Sequence, residues 1–350
     1  MRVRDQMFEL LSELTELPGV SGTEGPVREY IMSRLGLGKD CRVDNIGNLI
    51  AESGSGHPHV ALVAHMDEVG LVVSKIEGDG SLRFRKVGAV DDRLLVSRKV
   101  KIHSPKGVVN GIIGIKPPHL MTDPEEAKKT VPSDKLRIDI GTRSKREAEA
   151  LGIRISDPVT LEKGLVRIGK DLVAGRALDD RVGCAILAEA HERLKGRRQK
   201  GRISFVWSVQ EEMGLRGAKV IANTLMPDYV VVVDTCSSGD SPGMEDGHLQ
   251  PAVLGSGPVI RLFDSQSIAS PALREAASKI ARSRRIPLQE VVAGGTTDAT
   301  AVQESGSAVI PIGVGMRNTH STTEAVSLKD MENATRLVVE LARHLSTGGI

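Results

Sequence analysis

The sequence predicts an α/β fold with a central mixed sheet, interrupted by an inserted small β-barrel. Three features point there. Continuous apolar runs such as His59-Val-Ala-Leu-Val-Ala have the composition of strands buried on both faces. Residues 1–69 and 167–350 alternate such runs with helical periodicity, the pattern of α/β folds. Between them, residues 70–166 carry short β runs separated by glycine turns, which read as a small barrel or sandwich.

Taken in order, residues 5–16 place Met7, Leu10, Leu11 and Leu14 at helical spacing. Pro18-Gly-Val-Ser-Gly breaks that helix, and a second spans 24–35. Cys41-Arg-Val-Asp and Asn48-Leu-Ile-Ala-Glu form a hairpin turning at 45–47. The run from His59 ends at His65 and Asp67. Within the insert, LVVSKI, SLRFRKV, RKVKIHS and VVNGIIGI are strands, and 123–129 and 144–151 brief helices. Beyond Gly169 the strand–helix–strand pattern returns, with apolar strands at 203–209, 229–233 and 309–314. Leu328, Met331, Ala334, Leu337, Val338, Leu341 and Leu345 then recur at threes and fours, a closing helix.

A chain of 350 residues has room for two domains and a sizeable core. Aromatics are only 2%, so that core is built from Val, Ile, Leu and Ala. The 47 basic and 45 acidic residues nearly cancel, which offers nucleic acid no electrostatic footing. Arg197-Arg198-Gln-Lys200 and Arg282-Ser-Arg284-Arg285 read as solvated helix ends and loops. Cys41, Cys184 and Cys236 are far apart and form no CxxC, so no disulfide framework is expected and a reducing cytoplasm is the natural compartment. The first residues read as an amphipathic helix with acids among its leucines, not a signal peptide. No stretch of about 18 apolar residues suits a membrane.

The stretch ALDDRVGC, from Ala177 to Cys184, sets Asp179 and Asp180 between an apolar run and a buried helix. Acids there sit where open α/β sheets hold ligands, although an isolated pair is more commonly a helix cap with first-turn charge. Its company alters the balance. His65 with Asp67, Glu211 with Glu212, Asp234 and His320 all lie at or near the ends of apolar, strand-like runs. Singly, each has a plain explanation as a turn, a cap or a satisfied polar group. Jointly, capping does not account for them.

A hydrolytic site with two metals needs a bridging carboxylate, plus a carboxylate and an imidazole on each flank. His65, Asp179, Glu212, Asp234 and His320 form such a set. Nitrogen and oxygen donors without thiolate suit zinc, cobalt or manganese. Asp67 can accept the second N–H of the His65 imidazole. Glu211, beside a ligand, is placed to serve as general base.

Together, HMDEVG, ALDDRVG, VQEEMGLRGA, VVDT with LGSGPVI, GGTTDATA and MRNTHSTTE resemble the tetrahedral, TET-type aminopeptidases. These are dinuclear metallopeptidases that include glutamyl and deblocking aminopeptidases. VGAVDDRLL, GIIGIKPPHL, LRIDIGTRSKREAEALGI and the DPVT turn resemble that family's PDZ-like dimerisation domain, so the likeness covers most of the chain. It implies a zinc-peptidase-like α/β/α catalytic domain at 1–69 and 167–350, with the dimerisation barrel at 70–166. It implies His65, Asp179 and Asp234 around one metal, and Asp179, Glu212 and His320 around the other. Asp179 would bridge through a cis peptide to Asp180, the lesser candidate for that role. Glu211 would be the base, and Asp67 would orient His65. The resemblance also implies two divalent ions per subunit, zinc first with cobalt accepted, and short peptide substrates. Dimers would build a hollow twelve-subunit tetrahedron. Two departures bear on loop rigidity and substrate preference: Ser321-Thr322-Thr323 lacks the family's proline after the serine, and GGTTDATA replaces a GGGTDA-like run.

The expected activity is removal of N-terminal residues from short peptides. A carboxypeptidase, aminoacylase or deacylase on the same fold is the alternative, which the size and sequence of the insert disfavour. A catalytically silent assembly protein is a third reading, disfavoured by the complete donor set. Sugar hydrolysis has no support, because its pair of acids would have no metals around it.

Overall fold

The computed structural model describes every residue except 1, 2, 124, 126, 127, 163, 198, 245, 246 and 250. It divides into two compact units: Met1–Asp67, Gly164–Thr319 and Thr323–Ile350 form one, and Glu68–Lys163 with His320–Thr322 the other. The first unit opens with helices α1 (Val3–Glu16) and α2 (Gly25–Leu35) and strands β1 (Cys41–Val43), β2 (Leu49–Gly54) and β3 (His59–His65). In α1, the leucine spacing buries Met7, Leu10, Leu11 and Leu14 on one face. Pro26 sits in the first turn of α2, where its missing N–H costs nothing, and Gly36 closes that helix in the left-handed region. β1 and β2 pair antiparallel as expected, Cys41 opposite Ala51 and Val43 opposite Leu49. The Asp44 carboxylate ties the turn by accepting from the N–H groups of Ile46, Gly47 and Asn48.

The second unit holds β4 (Gly70–Ile76), β5 (Leu82–Val87), β6 (Lys99–Ser104), β7 (Gly107–Ile113), β8 (Ile138–Asp139), α3 (Lys145–Ala150) and β9 (Pro158–Leu161). Its six strands close a barrel in the order β4-β5-β8-β7-β6-β9, every pairing antiparallel. Leu71, Val73, Leu82, Val100, Ile102, Ile138 and Val159 fill its core. Gly111 is required on β7, since a Cβ there would lie 2.6 Å from Ile138 Cγ2. The brief helix expected at 144–151 is α3, N-capped by Ser144. The other, at 123–129, cannot be compared as a whole, because 124, 126 and 127 lie outside the described residues.

The chain then returns to the first unit. β10 (Val166–Ile168), β11 (Leu172–Gly175), α4 (Leu178–Leu194), β12 (Arg202–Ser208), α5 (Arg216–Leu225) and β13 (Tyr229–Ser237) come first. β14 (Val259–Phe263), α6 (Pro271–Arg284), β15 (Gln289–Val292), α7 (Asp298–Gln303), β16 (Ala308–Arg317), β17 (Glu324–Ser327) and α8 (Leu328–Ser346) complete it. All eleven strands of this unit join one mixed sheet, β1-β2-β12-β3-β13-β16-β17-β11-β10, with β14 and β15 attached at β16. The four central strands, β12, β3, β13 and β16, are parallel and buried almost end to end, as two-sided apolar strands must be.

Alternation along β3 shows the layers. Val60, Leu62 and Ala64 pack with α1, α4 and α8, while Ala61 and Val63 pack with α5 and α7. The sheet therefore carries helices on both faces, and its parallel strands all end on one edge. Among the described residues, no helix is long and apolar enough to cross a membrane.

Candidate functional site

That edge is where the acids and imidazoles gather. β3 ends at His65, β12 is followed by Glu211 and Glu212, β13 carries Asp234, and α4 has Asp179 in its first turn. His65 Nε2 lies 3.3 Å from Asp179 Oδ1 and 3.9 Å from Asp234 Oδ1. His65, Asp179 and Asp234 are all buried, and each offers a ligand atom within 4.8 Å of the others. The same limit holds for His65 with Glu211 and Glu212. Four of the five residues singled out as ligands, His65, Asp179, Glu212 and Asp234, thus fall in overlapping groups within the first unit, with Glu211 among them, while His320 belongs to the second unit.

Asp67 lies beneath the cluster, fully buried. Its Oδ1 accepts from the Glu211 N–H at 2.9 Å, and its Oδ2 from the Glu212 N–H at 3.1 Å. His65 Nδ1 is 3.4 Å from Asp67 Oδ1 and hydrogen-bonds the Asp67 carbonyl at 3.2 Å. Asp67 therefore holds both the imidazole and the start of the Glu-Glu segment, more than sequence reasoning allowed it. The Asp179–Asp180 peptide is cis. The two acids part there: Asp180 Oδ1 turns into the helix and accepts from the Gly183 N–H at 2.8 Å, while Asp179 faces His65.

Three partners, Glu324 and Arg181 buried and Ser21 partly so, went unread in the sequence. Ser21 donates to Asp67 Oδ2 at 2.6 Å. Glu324 Oε2 accepts from the Leu178 N–H at 2.7 Å and the Asp179 N–H at 3.3 Å, which fixes the turn that presents Asp179. Arg181 donates to the carbonyls of Met66, Leu14 and Leu17, tying the start of α4 to the residue after His65. The signal for Glu324 and Arg181 was their place inside MRNTHSTTE and ALDDRVG; Ser21 had none beyond a glycine-rich turn. Ala177, Gln210 and His320 adopt positive φ (54°, 55° and 58°), each at or within two residues of a candidate site residue. Such conformations cost about 1–3 kcal/mol for residues other than glycine and persist where surroundings impose them.

The electrostatics call for cations. Burial, reinforced by Asp179, pushes Asp234 up to about 7. Burial also drives Glu211 well above the usual carboxylate range, opposed by His65 and reinforced by Asp234 and Glu212. Asp180 rises for the same reason. Burial works against a charge on His65, yet Asp179 and Asp67 hold its pKa well above the ordinary value. A buried nest of acids that desolvation drives towards protonation is short of positive charge. Imidazole and carboxylate donors at these separations fit divalent ions, which would reverse that pressure.

Comparison with known proteins agrees with this chemistry. A family model of the M42 glutamyl aminopeptidases matches residues 47–337. The lysyl aminopeptidase of Pyrococcus furiosus is 32% identical over 97% of each chain. A TET aminopeptidase from the marine sediment archaeon Thaumarchaeota archaeon SCGC AB-539-E09 has a TM-score of 0.92 and 34% identity, covering 98% of this chain and 97% of that one. The Pyrococcus horikoshii TET1 peptidase, which can assemble into a tetrahedron or a large octahedral shell, has a TM-score of 0.89 and 40% identity. There the match covers 96% of this chain and 99% of that one. With a buried metal-competent cluster at the sheet edge and a family match over most of its length, the chain belongs to the M42 glutamyl aminopeptidases, a family of metal-dependent hydrolases.

Proposed function

We propose that the protein removes N-terminal residues from short peptides at a dinuclear centre held by His65, Asp179, Glu212, Asp234 and His320. The convergence of His65, Asp179 and Asp234 at the carboxyl edge of the parallel strands carries this assignment. Asp179, whose Oδ1 lies 3.3 Å from His65 Nε2, would be the carboxylate shared by the two ions. Two divalent cations, zinc or cobalt, held by these residues would supply a Lewis acid for the scissile carbonyl and lower the pKa of water. Glu211 is the general base: it takes the proton from the attacking water and passes it to the leaving amine. Asp67 orients His65 and holds Glu211 through the backbone. Carboxylates at the edge of the centre hold the substrate's free α-amine, which confines cleavage to the first peptide bond.

The decisive variant is Glu211→Gln. It should abolish turnover while metal content stays at the wild-type level, and full activity in a metal-replete Glu211→Gln preparation would remove Glu211 from the base's role. Free-amine and N-acylated peptides offered side by side test the exopeptidase assignment. Cleavage of the blocked set alone would replace it with a deacylase. We further assign the barrel unit to dimerisation within a closed, TET-like assembly. Val108 and Ile112 on β7, with Ile115 and Leu120 beyond it, are each more than half exposed, an apolar surface of the kind that marks interfaces. Sedimentation giving only monomer would contradict this.

A further inference from the structure

The GGTTDATA run has a buried acid that the proposed chemistry does not use. Asp298, the first residue of α7, is 2% exposed. Its Oδ2 lies 2.5 Å from Ser208 Oγ, while its Oδ1 has no hydrogen-bond partner among the described residues. Ser208 is the last residue of β12 and sits in register with His65 on β3. Its hydroxyl is also 3.2 Å from the Ala64 carbonyl oxygen, and its own carbonyl accepts from the Met66 N–H at 2.8 Å. Ser208 therefore holds the residues on both sides of His65.

Counting hydrogens tells which way this chain runs. A serine hydroxyl carries one hydrogen, and here it has two oxygens to serve, Asp298 Oδ2 and Ala64 O. If Asp298 is ionised, the hydroxyl is spent on it and the Ala64 contact has no hydrogen. If Asp298 carries a proton, it donates to Ser208 Oγ, which then donates to Ala64 O, and both contacts are hydrogen bonds. The 2.5 Å separation is at the short end of the O–H···O range, so the two oxygens share a hydrogen whichever of them carries it. We propose that Asp298 is a positioning residue that donates to Ser208 and, through that hydroxyl, fixes the end of β3 that presents His65 to the metals. Burial, opposed by His65, pushes the Asp298 pKa up to about 6, in the direction of the proton it needs, and the second contact of the Ser208 hydroxyl must supply the rest. The proposal rests on the aminopeptidase function only for the consequence of misplacing His65.

The test is a Co2+ titration of metal-free protein, followed by visible absorption without substrate, with kcat measured separately. Asp298→Ala and Ser208→Ala should each weaken Co2+ binding 10–100-fold, the usual cost of losing a group that supports a metal-bound histidine. The double variant should lose no more than the worse single one, because the two act as one chain. Asp298→Asn should stay within about twofold of wild type, since its amide N–H donates to Ser208 as the neutral acid does. Asparagine as damaging as alanine would overturn the proposal, as would losses that multiply in the double variant. If Asp298→Ala does not fold, Asp298→Asn and Ser208→Ala decide alone: the first must retain affinity and the second must lose it. A wild-type protein that binds Co2+ but cleaves nothing would refute the peptidase function and leave these affinities to judge Asp298.

Discussion

Asp67→Asn perturbs the centre with almost no change of shape. Asp67 is fully buried and accepts from Glu211 N–H, Glu212 N–H and the Ser21 hydroxyl at 2.9, 3.1 and 2.6 Å. An amide has one oxygen where the carboxylate has two. With that oxygen at the Oδ2 position, the new NH2 group faces the Glu211 N–H and His65 Nδ1. With it at Oδ1, the NH2 faces the Glu212 N–H. Either orientation sets a buried donor against a donor, at about 1–3 kcal/mol. Melting should fall by several degrees, since each kcal/mol shifts a domain of 150–250 residues by about 2–4 °C. The larger effect should be on function, because Glu211, Glu212 and His65 all lose their common anchor. A 10–100-fold fall in metal affinity or in kcat/KM is expected. Co2+ titration of the stripped protein, a melt, and kcat/KM on aminoacyl p-nitroanilides measure the three quantities. Wild-type metal affinity together with wild-type kcat/KM would refute the role given to Asp67.

Chelation should abolish hydrolysis, and zinc or cobalt should restore it. Ions that bind only the native state at a thousandfold excess over Kd add about 4 kcal/mol, so calorimetry should show a lower Tm for the stripped protein. An unchanged Tm would count against a buried metal pair. Stability should also fall in mild acid through His59, a fully buried residue of β3 whose pKa burial, helped by Arg202, lowers to about 4. The unfolded imidazole titrates near about 6.5. Between those values the unfolded chain binds a proton that the native protein does not, so the contribution is complete above the unfolded value and is lost as pH falls towards the folded one. The whole effect is about 2–3 kcal/mol. Urea melts at neutral and acid pH should show less of this loss in His59→Gln, and an identical loss in both proteins would exclude His59 as its source. Gly217→Ala should destabilise by about 1–3 kcal/mol, because its Cβ would press on the backbone of Val209 and on Asn48 Oδ1. A neutral urea melt would show that this corner of α5 has slack.

The elements legible in the sequence were those whose signal is local. The α1 leucines, the β1–β2 hairpin and the buried run of β3 each follow from a period or a turn within about a dozen residues. His65, Asp179, Glu212 and Asp234 were legible for a related reason, since each lies beside an apolar run that could be read alone. What escaped was the support. Ser21 reaches Asp67 across 46 positions, Ser208 reaches Asp298 across 90, and Glu324 reaches Leu178 across 146. No periodicity links such pairs; only the sheet order brings them together. The short strands β10, β15 and β17 were missed as well, because strands of three or four residues hold too little alternation to stand out.

The Asp179–Asp180 pair gives each of two readings of one dipeptide its own residue. The capping reading belongs to Asp180, whose Oδ1 accepts from Gly183 N–H and whose neighbour must be glycine, because a Cβ at 183 would meet that carboxylate. The ligand reading belongs to Asp179, whose N–H is held by Glu324 and whose Oδ1 lies 3.3 Å from His65 Nε2. Opposite duties on adjacent residues need a backbone that sends successive side chains in different directions. The backbone has that form: both residues leave helical φ/ψ inside α4, directly after Ala177 at positive φ. Side chains alone therefore do not define the site. An Asp179 grafted onto a regular helix N-terminus would keep its carboxylate and lose its aim. Glu324, which accepts from the N–H groups on that irregular turn, would be as much a condition for the proposed metal pair as the residues that would touch it. Glu324→Gln replaces a charged acceptor by a neutral one at Leu178 and Asp179. It should weaken metal binding while leaving His65, Asp234 and Glu212 in place, and unchanged Co2+ affinity in that variant would show that the turn holds itself.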